Sequence, residues 1–142
     1  MAPKSKEMDN TMSLKIPSIL ENLRIIESFI DHAREYFQFD DDIYGNILIA
    51  VTESVNNAII HGNKQDKDKN IHLELKVTKA HIRFTVEDEG DGFDYDSLPD
   101  PTSPNNIDTD GGRGIFLVKH LTDEVKFLDE GRKMVLTFYM NQ

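Results

Sequence analysis

The chain has no cysteine and no tryptophan among its 142 residues. No disulfide framework, thiolate metal site or thiol nucleophile can be built from it. Positive charge is also scarce, with 16 lysines and arginines against 26 aspartates and glutamates, a net charge of −10. Proteins that grip nucleic acid do so largely by releasing phosphate counterions with clustered basic side chains. Here the basic residues are scattered among more numerous acids, so direct DNA or RNA binding is not expected. Long apolar runs are missing as well; no stretch reaches the roughly 20 residues a membrane span requires. Met1–Met12 carries no signal-peptide apolar segment, so the expected compartment is the cytoplasm. What is present, 38% hydrophobic and 30% charged residues, supplies one ordinary core and predicts a single soluble domain.

Residues 1–12 are assigned to a flexible N-terminal tail and 13–142 to the domain, although weak alternation over Thr11–Ile16 offers a first strand. Pro17 suits a helix's first turn, and Ile19, Leu23, Ile26, Ile30, Ala33 and Phe37 recur at helical spacing after it. Asp40–Asp42 then provides capping and first-turn acids for a second helix, from about Asp42 to His61, with Gly62 and Asn63 as its stop. Beyond Asn70 the period changes to two. Ile71, Leu73, Leu75 and Val77, then Ile82, Phe84 and Val86, predict paired strands. Glu89–Gly112 holds three of the five prolines and four of the eight glycines, a long irregular stretch of the kind that is usually functional. A short apolar helix over Gly114–Leu121 and strands over Glu124–Leu128 and Lys133–Met140, joined by a turn at Asp129–Arg132, complete the chain. The predicted class is an α+β two-layer sandwich with helices on one face of a mixed, mostly antiparallel sheet.

Chemistry can sit in three places. On the second helix, Asn46, Glu53 and Asn57 share a face away from the apolar stripe of Ile47, Val51, Val55, Ala58 and Ile59. Alone, such a pair reads as a solvated polar face. Ile49 and Ile60 project on the Glu53 side, however, so something is expected to pack there. A carboxylate and a carboxamide one turn apart can divide labour, one accepting a proton and the other ligating a hard cation such as Mg²⁺. The second place is Asp88-Glu-Gly90-Asp-Gly92 after a strand, where two glycines allow close backbone approach to a ligand. Alone it reads more readily as an acidic turn. A calcium loop is rejected because its twelfth position is Leu98 rather than a bidentate Glu. The third is Gly111-Gly112-Arg113-Gly114 opening a helix, which either ends a loop or offers N–H groups to a phosphate. It is neither a P-loop nor a dinucleotide fingerprint. The five histidines show no zinc spacing, and His61 reads as a capping cation at its helix end.

Taken in order, E-x-x-x-N on a helix, D-x-G-x-G after a strand and G-x-G-x-x-L at a helix start resemble the N, G1 and G2 boxes of the GHKL ATPases, the superfamily of gyrase B, Hsp90, histidine kinases and MutL. The runs Glu53–Gly62 and Gly111–Val125 look most like the bacterial anti-sigma-factor serine/threonine kinases, and the likeness spans about Leu14 to Met140. The resemblance implies the Bergerat ATP-binding fold, with ATP and Mg²⁺ as cofactors. By position it implies Glu53 as general base, Asn57 as Mg²⁺ ligand, Asp88 at the adenine amino group, and Gly90 and Gly92 as the glycines beside the base. Gly112 and Gly114 fall in the phosphate-binding turn, Arg113 adds charge there, and residues 93–111 form an ATP lid. It further implies a homodimer, a sigma factor held through a protein surface, and an anti-anti-sigma partner of the STAS fold as phosphoacceptor. The competing expectation is a nucleotide-gated binding module or ATP hydrolase without protein kinase activity.

Overall fold

A computed structural model describes residues 10–92 and 112–140. The chain runs from β1 (Thr11–Pro17) through a 3-10 turn at Leu20–Asn22 into α1 (Leu23–Phe37) and α2 (Asp41–Asn57), which continues as a π-helical segment, Ala58–Gly62. Then come β2 (Asn70–Val77), β3 (His81–Glu87), α3 (Gly112–Leu121), β4 (Glu124–Leu128) and β5 (Lys133–Tyr139). The five strands form one sheet in the order β1-β2-β3-β5-β4. All four pairings are antiparallel, so the sheet predicted as mixed but mostly antiparallel is antiparallel throughout the described strands. The β3–β5 neighbours pair antiparallel because the intervening chain passes through α3 and β4 and returns by the tight turn at Asp129–Gly131.

Period-two patterning decides which face of the sheet is dry. Ile71, Leu73 and Leu75 of β2, Ile82, Phe84 and Val86 of β3, and Met134, Leu136 and Phe138 of β5 are all buried. Register places Leu75 opposite Phe84 and Phe84 opposite Leu136, and the Phe84 and Phe138 rings meet edge to face at 6.4 Å. Ile26, Ile30 and Ala33 of α1 and Ile47, Ala50, Val51 and Val55 of α2 close the same core. The helices thus form the second layer. Among the described residues no helix is long and apolar enough to cross a membrane.

Two boundaries differ from the sequence reading. Thr11 and Met12, assigned to the tail, pair with Lys76 and Leu75, because the free edge of β2 satisfies their backbone groups. Pro17 ends β1 instead of opening a helix; with no N–H to donate, it fits a strand's last position, and α1 starts six residues later. Asp40 occupies the N-cap of α2 with extended backbone but makes no side-chain capping bond, and Asp41 instead pairs with Arg34 of α1. The lid assigned to residues 93–111 lies outside the described residues.

Candidate functional site

The site grows from the C-terminal half of α2. Its Glu53 face becomes progressively drier along the helix: Asn46 is exposed, Glu53 is partly covered and Asn57 is 2% exposed. The cover is α3, which packs on α2. At the point of contact a Cβ on Gly114 would stand 2.6 Å from Glu53 Oε1 and 3.1 Å from Asn57 Nδ2. Only a glycine leaves room for both polar side chains beneath the first turn of α3. The packing expected beside Glu53 is therefore the third motif itself. Ile49 stays 46% exposed. Asn57 lies on the Glu53 side in contact with this turn, while its neighbour Asn56 is only partly buried.

Partial burial pushes the Glu53 carboxyl above its ordinary range, since a charge is poorly solvated there. Asn57 Nδ2 donates to the Glu53 carbonyl at 2.8 Å, so the amide oxygen is the end of the side chain that a ligand could use. An amide oxygen is a donor that a hard cation such as Mg²⁺ accepts, and the rest of its shell would come from phosphates and water. Among the described residues no group of three or more His, Cys, Asp or Glu could hold a metal by itself. Gly112 and Arg113 stand at the first two positions of α3.

The second motif meets the same helix one turn further on. The π-helical segment lets the Asn63 N–H donate to the Ala58 carbonyl at 2.8 Å, widening the helix end. Gly62 is pressed against the Asp88 carboxyl and Gly90 against the Gly62 carbonyl, so a Cβ at either glycine would collide. Gly92 has φ +97°, and a Cβ there would strike the Glu130 carbonyl in the β4–β5 turn. The glycine requirement of Gly90 and Gly92 is thus set by protein backbone on both sides of the turn. Asp88 is 4% exposed; its N–H donates to the Arg132 carbonyl and its Oδ1 accepts the Gly90 N–H, both at 2.9 Å. Burial pushes its carboxyl up, partly offset by the Gly90 N–H and the Arg132 charge. Glu89 accepts from the Asn70 N–H at 3.0 Å and lies 2.9 Å from His72 Nε2, and the His72 contact holds its carboxyl below the usual range.

One continuous helical rod, α2 with its π-helical end, therefore carries Glu53 and Asn57 against Gly114 and carries Gly62 against Asp88 and Gly90. The model of the histidine kinase-like ATPase domain matches residues 16–140. The chain belongs to that family. Within it, the chain is 28% identical over 137 residues to the serine-protein kinase RsbW of Bacillus subtilis, covering 92% of this chain and 86% of that protein. It is 27% identical over 142 residues to the RsbW serine-protein kinase of Listeria monocytogenes, at 95% and 90% coverage. Among solved structures, the RsbU and RsbW domains of a Mycobacterium tuberculosis protein superpose with a TM-score of 0.64 at 15% identity, covering 92% of this chain and 32% of that one. The shared fold is an antiparallel sheet with helices on one face.

Gly62 and Asn63 are the residues that sequence reasoning undervalued. Both read as a helix stop, which they are, and nothing in their spacing shows that the stop abuts Asp88.

The contact at Gly114 gives a direct prediction. Gly114→Ala sets its methyl against the movable end of Glu53, so the fold adapts while the carboxylate is displaced. Turnover should fall by about 10–100-fold, as expected for a misplaced reacting group, with a thermal midpoint within a few degrees of wild type. Phosphotransfer rates and melting curves read on the same preparation check both halves.

Proposed function

We propose that this chain is an ATP-dependent protein serine/threonine kinase that doubles as an anti-sigma factor. It would phosphorylate an anti-anti-sigma partner of the STAS fold and hold a sigma factor through a protein surface, working as a cytoplasmic homodimer. The observation that carries the proposal is the seating of Gly114 on Glu53 and Asn57. It brings a carboxylate, a carboxamide and a helix N-terminus together in one place. The naming of full-length relatives as serine-protein kinases supports phosphoryl transfer to protein. Sigma-factor binding and the dimer rest on the likeness to the anti-sigma branch.

Each residue then has a task. Asp88 accepts a hydrogen bond from the adenine amino group. Backbone N–H groups at Gly112–Gly114, with Arg113, receive the phosphates. Asn57 Oδ1 would hold Mg²⁺, which when bound neutralises phosphate charge. Glu53 takes the proton of the partner's serine or threonine hydroxyl as that oxygen bonds to the γ-phosphorus and ADP leaves. Positioning and charge neutralisation suffice for this chemistry, so a small domain is adequate. The net charge of −10 is no obstacle, because the phosphates meet local N–H groups and a cation.

Incubation with Mg-ATP and candidate STAS proteins tests the proposal, with transfer of the γ-phosphate to a serine or threonine as the expected result. Nucleotide binding without transfer to any partner would favour the gated binding module, and phosphate release without a phosphoprotein would favour a hydrolase. In either case Asp88→Ala should weaken ATP binding by about 10–100-fold, the worth of a hydrogen bond to a charged group. Titration with a fluorescent ATP analogue would show it.

A further inference from the structure

We infer that Asn63 is a positioning residue of the nucleotide site, holding the Asp88–Gly90 turn in place for the nucleobase; the inference rests on the nucleotide-binding reading above. Asn63 is 2% exposed, and its side chain makes three hydrogen bonds, with both amide protons and the amide oxygen engaged. The amide oxygen accepts the Glu89 N–H at 2.7 Å. The amide nitrogen donates to Ser18 Oγ at 2.6 Å and to the Asn70 carbonyl at 3.0 Å. Its backbone N–H closes the π-helical turn on Ala58, and its carbonyl accepts the Asp66 N–H at 3.0 Å. One buried carboxamide thus joins the end of α2, the turn after β1, the start of β2 and the residue next to Asp88.

The two ends of that amide do different work. The nitrogen serves the scaffold, where the Ser18 hydroxyl in turn donates a hydrogen bond to the Lys69 carbonyl at 2.7 Å. The oxygen serves the turn that carries Asp88. Arg132 holds Asp88 from the hairpin side through its carbonyl, and Asn63 holds the following residue from the helix side, so the Asp88 peptide is gripped at both ends. Gly62 and Gly90, in contact beneath it, leave no side chain to take over if the Asn63 bond is lost. An adenine amino group and a guanine carbonyl differ at the atom Asp88 would read. Displacing the turn should therefore cost discrimination between the bases as well as affinity.

The test uses the full chain and four proteins: wild type, Asn63→Ala, Asn63→Asp and Ser18→Ala. ATP and GTP affinities, thermal midpoints and hydrogen exchange at the Glu89 amide are measured on each. Ser18→Ala should lower the midpoint and leave the ATP-to-GTP affinity ratio within about twofold of wild type, since it does not touch the turn. Asn63→Ala should lower the midpoint, weaken ATP binding and shrink the ratio, each affinity effect about tenfold, and speed Glu89 exchange by a similar factor. Asn63→Asp keeps an acceptor for Glu89 and loses the donors, so it should be less stable yet retain base selectivity, and it also serves if the alanine variant does not fold. An Asn63→Ala protein with the wild-type ratio and affinity would overturn the inference, as would Ser18→Ala shifting the ratio equally, or selectivity lost in Asn63→Asp. Wild-type protein that binds no ATP would overturn the nucleotide reading itself, a result distinguishable because it precedes any variant.

Discussion

Glu53→Gln is expected to lower phosphoryl transfer by about 10²–10⁴-fold while making the protein more stable at neutral pH. Both effects come from one carboxyl. Glutamine keeps the shape and the neighbours of Glu53 beneath Gly114 but cannot take a proton from an attacking hydroxyl. The wild-type carboxylate is costly to hold there because burial disfavours its charge and raises its affinity for a proton above the ordinary value of 4.5. A folded state that binds a proton more tightly than the unfolded chain has its full stabilising contribution below that ordinary value. The contribution is lost as pH rises through the raised folded value. The glutamine variant should therefore match wild type in acid and exceed it at neutral pH, with a thermal midpoint about 1–3 °C higher. Activity runs the opposite way: wild-type transfer should increase with pH through the same raised value, since only the carboxylate is a base. Paired pH profiles of rate and melting would show the two trends crossing. If the glutamine variant transfers phosphate at the wild-type rate, another residue is the base.

Gly90→Ala is the second large effect, and it acts on binding and folding together. Its methyl would collide with the backbone carbonyl of Gly62, which cannot rotate away as a side-chain tip could. Either the Asp88 turn or the end of the π-helical segment must move. The cost is about 1–3 kcal/mol, seen as a thermal midpoint lower by roughly 3–10 °C. ATP binding should become undetectable or at least about 100-fold weaker, because Asp88 and the Asn63–Glu89 bond lie in the displaced turn. Gly45 provides the control: among the described residues, no atom outside its own helix turn lies within 4 Å of a Cβ placed there, so Gly45→Ala should leave binding unchanged.

The comparison with Gly114→Ala separates two kinds of glycine. At Gly114 the neighbour is the far end of Glu53, so chemistry suffers and the fold does not. At Gly90 the neighbour is backbone, so both suffer. No property of the sequence distinguishes the two, since each stands in a glycine motif and both look like room for a ligand. The structure shows that the crowding is internal: one glycine makes way for the Glu53 carboxyl and the other for a peptide.

Element order and type were legible locally. Helical spacing from Leu23 to Phe37, period-two alternation in Ile71–Val77 and Ile82–Val86, and the stop at Gly62-Asn63 depend on residues within a few positions of one another, and such signals survive without tertiary context. The chemical inventory was legible too, because E-x-x-x-N, D-x-G-x-G and G-x-G-x-x-L carry their residue types on their face. Boundaries were less so. Thr11 and Met12 are ordered only by the edge of β2, a partner some 60 residues away, and Pro17 suits the end of a strand as well as the start of a helix.

By itself, then, the sequence determined the α+β class, the order of the elements and the three motifs proposed to carry the chemistry. Tertiary structure alone decided what those motifs touch: Gly114 lies on Glu53 and Asn57, Gly62 and Gly90 meet around Asp88, and Asn63 binds three other segments at once. The reason is physical. Periodicity and turn chemistry are properties of neighbouring residues, whereas all of these contacts except the Asn63–Asn70 bond join residues 26 to 61 positions apart. Packing of the helices on the sheet sets them, and no local preference encodes that packing.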